Sequence, residues 1–207
     1  TGPASSQSVN SFGHGLSKAP ELVIVKSRTA SKNWATFHKD LGASKALRLN
    51  TTEAAISDTF WGSGMTSTLV NLYPNVSSGS NVDNTTGNLV AYCFHSVDGY
   101  SKVGSYEGNN NADGTFVYTG FQPKFIIIKD IDAAQSWNLY DSVRDTNENP
   151  VNLSLLADNT NAEASGNPID FLSNGFKLRD ASGMINDAES YIYLAFAETP
   201  SKYSNAK

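Results

Sequence analysis

Cysteine is nearly absent. One residue, Cys93, stands among 207, so no disulfide closes within the chain. It sits in the apolar run "LVAYCF", where a buried, inert thiol is expected, because a reactive one needs an exposed, electropositive setting. Charge is also scarce, at 17% of residues, with a net of −5. Lysine and arginine are scattered, and no basic run offers a footprint for nucleic acid. An anionic membrane surface would repel the chain. No apolar run approaches the roughly 18 residues needed to span a bilayer. No segment beyond about ten residues keeps a helical period; only "TEAA" and "NAEA" suggest a helical turn. The G-x-S-x-G, H-E-x-x-H and G-x-x-x-x-G-K-[ST] signatures are missing.

What the chain does have is a sentence written twice. "PELVIVKSRTASKNWATFH" begins at Pro20 and "PKFIIIKDIDAAQSWNLYD" at Pro123, an offset of 103 (123 − 20). Without gaps, Pro20 meets Pro123, Ile24 meets Ile127, Lys26 meets Lys129 and Trp34 meets Trp137. Further pairs follow in the same order: "FGHGL" with "VYTGF", "NTTEAA" with "NTNAEA", and "AYCFHSVDGYSK" with "YLAFAETPSK". Each unit is about half the chain, too long for a solenoid repeat. "LVIVK" and "FIIIK" are β-branched runs of the kind that form strands buried on both faces. "WATFH" and "WNLYD" place Trp34/Phe37 and Trp137/Tyr140 near the apolar side. Asn/Gly-rich turns such as "GNNNADG", "NTTGN", "SNG" and "ASG" separate the strands. The expected fold is all-β: a jelly-roll-like antiparallel β-sandwich of two tandem pseudo-repeats of about 103 residues, 1–103 and 104–207.

Several motifs resemble a known family. "SKVGSYEGNNNADGTFVYTGFQPKFIIIK", "IDFLSNGFKLR", "YIYLAFAETP" and the closing "KYSNA" look like domains of marine tailed phages and cyanophages, found as tail-fibre or other virion structural proteins. The first half adds "APELVIVKSR", "NWATFHK" and "LNTT". The resemblance covers nearly the whole chain. It implies a virion location, other virion proteins as partners, and a homo-oligomer, commonly a trimer in such fibres. Its expected role is non-catalytic attachment to a host-surface glycan or protein, without nucleic acid or membrane. A capsid decoration or tail-assembly protein with no host ligand is the alternative. A glycan depolymerase or esterase ranks third.

Candidate chemistry is sparse. His14, His38 and His95 face Thr119, Asp141 and Ala197 in the other repeat, so no histidine recurs and strand-end roles are expected. Asn109, Asn111 and Asp113 have the alternate oxygen spacing that opens a calcium loop, but Gly120 stands where the bidentate glutamate belongs. A plain Asn/Gly turn is the expected reading and no cofactor is expected, with calcium as the alternative. Asp130 and Asp132 could supply half of a glycosidic carboxylate pair, against a solvated strand end. Trp61, Tyr100, Tyr106 and Tyr118 are the candidates for a sugar-stacking platform. Trp34 and Trp137 recur, which favours packing.

Overall fold

The computed structural model describes residues 10–73, 88–145, 149–181 and 183–197. The turn "NTTGN" lies mostly, and the closing "KYSNA" wholly, outside the described residues. Every regular element described is a strand, and every pairing is antiparallel. "TEAA" and "NAEA" form no helix.

The chain divides into two compact units. One comprises Thr1–Leu49 with Ala55–Phe94, the other Asn50–Ala54 with His95–Lys207. The boundary at 103/104 drawn from the repeat falls inside a strand of the second unit, Ser101–Glu107.

In the first unit the strands are β1 (Asn10–Gly13), β2 (Leu22–Ser27), β3 (Ala35–His38), β4 (Lys45–Arg48), β5 (Ile56–Ser57), β6 (Leu69–Leu72) and β7 (Leu89–Phe94). They make a five-stranded sheet, β5-β4-β3-β2-β7, and a pair, β1-β6. Alternate residues point inward. Val23 and Val25, Ala35 and Phe37, and Val70 and Leu72 meet Phe60 and Trp61 in one core.

The second unit contains β8 (Ser101–Glu107), β9 (Phe116–Tyr118), β10 (Pro123–Asp130), β11 (Asn138–Asp141), β12 (Val151–Leu156), β13 (Ala164–Leu172), β14 (Gly175–Leu178) and β15 (Ser190–Ala197). They form one sheet in the order β8-β15-β10-β11-β12-β13-β14-β9. Each strand sends at least one side chain into a single core, from Tyr106 on β8 to Val117 on β9. The sheet therefore wraps around its own interior.

The duplication is visible in strand order. β7-β2-β3-β4-β5 matches β15-β10-β11-β12-β13, and β6-β1 matches β14-β9. Single bonds recur as well. Leu49 N–H donates to the Trp34 carbonyl at 3.0 Å, and Ala157 N–H to the Trp137 carbonyl at 3.1 Å. Two differences stand out. β5 is too short to reach β6, whereas β13 pairs with β14. β8 has no counterpart among the described residues.

Neither repeated tryptophan sits in its unit's main core, which corrects their placement beside Phe37 and Tyr140. Positions three apart on an alternating strand fall on opposite faces. Phe37 and Tyr140 point inward, Trp34 is half-buried, and Trp137 is buried outside that cluster.

Candidate functional site

The four candidate stacking rings separate into two classes. Trp61 is fully buried, edge-on to Phe37 and Phe60 at 5.6 and 4.9 Å between centroids. Tyr106 is buried too: it stacks on Tyr191 at 5.0 Å and donates to the Ile185 carbonyl at 2.7 Å. Burial pushes its phenol well above the ordinary range. A ring with both faces covered cannot stack on a sugar, so Trp61 and Tyr106 leave the list. Tyr100 and Tyr118 remain, 48% and 63% exposed. Tyr100 leans edge-on against Phe196.

Tyr118 has a companion that sequence reasoning missed. Phe116, two residues earlier on β9, is 44% exposed, while Val117 between them is buried. In "FVY" strict alternation puts both rings on one face, and that was the available signal. β14 lies alongside, pairing Lys177 with Phe116 and Gly175 with Tyr118. β13 extends the rows with Asp170 opposite Lys177. Gly175 makes the floor: a Cβ there would sit 2.2 Å from the Val117 carbonyl and 3.0 Å from the Phe116 ring. The phenylalanine thus lies across bare backbone.

A charged ladder borders the rings. Lys177 Nζ pairs with Asp113 Oδ1 at 2.7 Å. Arg179 donates from Nε to Asp170 Oδ2 at 2.6 Å, with its terminal nitrogen at 2.5 Å. The Lys177 ammonium holds the exposed Asp113 carboxyl below the usual carboxylate range. Two open aromatic faces with amines and carboxylates beside them can stack on the apolar face of a sugar ring and bond its hydroxyls. A second, smaller aromatic surface lies in the first unit, where Trp34 stacks on half-exposed Tyr92 at 6.4 Å.

The loop with calcium-like spacing spends its oxygens on itself. Asn109 Oδ1 accepts from Asn111 N–H at 3.1 Å and from Asn186 Nδ2 at 3.0 Å. Asn111 Oδ1 accepts from Asp113 N–H at 2.9 Å, and Asp113 faces Lys177. Asn110 adopts a left-handed φ of 50°, which asparagine tolerates. Asn186 is the buried hub of this loop. Its amide also donates to the carbonyls of Asn111 and Asp180 at 2.8 and 2.7 Å. Among the described residues no group of three or more His, Cys, Asp or Glu is placed to hold a metal ion.

The acids of "DID" shape a turn. Asp130, fully buried, accepts through Oδ1 from the N–H groups of Asp132 and Ala133, both at 2.8 Å. Asp132 Oδ2 accepts from Ser190 N–H at 3.0 Å. The nearby Asp130 carboxyl raises Glu189 above the usual glutamate range. Beside them Lys129 is buried, donating to the carbonyls of Asp130, Thr52 and Ala133 at 2.7, 3.2 and 3.5 Å. Burial pulls its ammonium down to about 8, against the opposing pull of Asp130 and Asp158. Its counterpart Lys26 donates to the Lys32 carbonyl. The repeated lysine therefore caps the turn after its strand in both units.

The histidines make backbone contacts. His14 Nδ1 accepts from Leu16 N–H, His38 Nδ1 accepts from Asp40 N–H, and His95 Nδ1 lies 2.9 Å from the Ser96 carbonyl.

No curated protein and no solved structure in the comparisons matches the chain. A family model does, over residues 1–200. The chain belongs to the family described as Domain of unknown function (DUF7483).

Proposed function

We propose that this chain is a non-catalytic module of a phage virion surface, in a tail fibre or comparable appendage, and that the β9–β14 face of its second unit binds host-surface glycans. The motif resemblance supports the virion setting. The observation that carries the site is the exposed pair Phe116 and Tyr118 on one face, bordered by Lys177, Arg179, Asp113 and Asp170. Such a shallow platform binds weakly on its own. Several copies on an oligomer would gain strength through effective concentration.

A glycan array probed with the chain displayed multivalently, and competition with phage for host cells, test the reading. Glycan binding that falls about two- to tenfold in Tyr118→Ala supports it, since an aromatic stacking contact is worth about 0.5–1.5 kcal/mol. A multivalent chain that binds no glycan and leaves adsorption unchanged would sink it.

A further inference from the structure

The charged ladder beside Phe116 and Tyr118 bears on the kind of sugar that face suits, an inference that rests on the glycan-binding reading and narrows it. β9, β14 and β13 lie side by side. Phe116, Lys177 and Asp170 therefore form one row, and Tyr118, Gly175 and Leu172 the next. A Cβ on Gly175 would lie 3.0 Å from Cζ of Phe116, so the Phe116 ring leans out of its own row towards that of Tyr118. Both rings keep an exposed face. The ammonium, the guanidinium and the two carboxylates stand beside them.

The charges on this ladder cancel, and both cations are engaged. Lys177 Nζ lies 2.7 Å from Asp113 Oδ1, which is also 3.9 Å from an Arg179 terminal nitrogen. Arg179 gives its Nε and its other terminal nitrogen to Asp170 Oδ2, at 2.6 and 2.5 Å. To reach Lys177, a ligand anion must displace Asp113 and then stand against that carboxylate. The chain's net charge of −5 adds to the repulsion. The acids are placed differently. Asp113 meets both cations through Oδ1 alone, and its side chain is 81% exposed. Its Oδ2 is left to accept from a hydroxyl. Asp170 meets Arg179 through Oδ2 alone, which leaves its Oδ1. The Lys177 ammonium keeps Asp113 ionised, and an ionised carboxylate only accepts. A sugar hydroxyl supplies the donor it needs, in a charge-assisted bond. An ionised uronate or sulfate brings only further acceptors.

We propose that the β9–β14 face selects neutral sugars, and that Asp113 is the residue that turns acidic ones away. The apolar face of a neutral hexose stacks on Phe116 and Tyr118, and one of its hydroxyls donates to Asp113 Oδ2. Asp113 thus has two effects. It binds the hydroxyl, and it occupies the ammonium that a uronate or sulfate would otherwise take.

Matched probes test it: neutral hexose and N-acetylhexosamine oligosaccharides, each beside its uronic-acid and sulfated counterparts, on an array probed with the full chain displayed multivalently. The parent chain should bind neutral members about fivefold or more tighter than their acidic counterparts, one hydrogen bond's worth. That binding should not weaken as salt is raised, because no ligand charge is there to be screened. Asp113→Asn leaves the loop intact, since its bonds to Asn109 and Asn111 run through the backbone of residue 113. It should cost the neutral probes about fivefold and strengthen the acidic ones, by releasing Lys177. Acidic counterparts that the parent binds as well as the neutral members or better would overturn the proposal and leave the glycan reading standing. So would a neutral-to-acidic ratio unmoved by Asp113→Asn. Binding of no probe of either kind would overturn the glycan reading, and the proposal with it.

Discussion

At Trp61 the indole N–H is buried with no acceptor among the described residues. Leaving a buried donor unpaired costs about 1–3 kcal/mol, comparable to the volume lost on trimming the ring to phenylalanine. Trp61→Phe should therefore change stability by about 1 kcal/mol or less, while Trp61→Ala should cost about 3–5 kcal/mol. Urea unfolding of both variants checks this; equal costs would defeat the orphan-donor account. Nothing in "TFWGSG" signals this burial, because its neighbours are polar and no period runs through them. Glu189 is a second residue whose place depended on a distant contact. Its raised value means that the fold favours the protonated acid. That stabilisation is present below the usual glutamate range and is lost as pH rises through the raised value. Glu189→Gln keeps a neutral group there and can donate to Asp130. Its melting temperature should exceed that of the parent at pH 7, with the gain vanishing near pH 4. A parent equally stable at both pH values relative to the variant would contradict the shared carboxyl contact.

Among the elements, β2, β3, β7, β10, β11 and β15 were legible because β-branched or aromatic residues recur in them and the repeat sets them side by side. β13 was not. Its first half, "ASGNP", carries glycine, asparagine and proline, and its pairing is with β12, through Ala164 and Ser165. The turn "GNNNADG" was legible as a turn, but its spacing also matched a cation loop. Its link to Asn186, more than seventy residues away, was invisible to local pattern. The same hub makes a prediction. Asn186→Ala removes donors to three acceptors in a fully buried position, and should cost roughly 2–4 kcal/mol at about 1 kcal/mol per bond. Chemical denaturation measures it. Added calcium should not raise the melting temperature of the parent. At the end of β10, Lys129 supplies a pH signature. Its ammonium titrates near 8 in the fold against about 10.4 when exposed. The unfolded chain therefore holds the extra proton between those values, and stability should rise with pH across that window. Lys129→Met should lack this rise; parallel curves for the two proteins would show that the lysine is not desolvated.

For the whole molecule, the repeat told more about architecture than any single segment did, since two copies of one pattern must fold alike or lose their shared spacing. It could not tell where one copy stops. The 103/104 division followed from the repeat length of about 103 residues. Pairing sets a different limit. Ser101 to Val103 belong to β8, facing Phe196, Ala195 and Leu194 of β15, and Val103 is 1% exposed. A fragment of residues 104–207 would leave the upper half of that edge bare and forfeit the burial of Val103, worth about 1.5–3 kcal/mol. A fragment of residues 95–207 keeps it. The longer fragment should unfold cooperatively at a denaturant midpoint clearly above that of the shorter one. Both should fall below the second unit in the intact chain, because Asn50–Ala54 belongs to that unit and Thr52 gives Lys129 one of its acceptors. Equal midpoints for the two fragments would mean that the first half of β8 contributes nothing, and that the limit read from the repeat describes the folding unit after all.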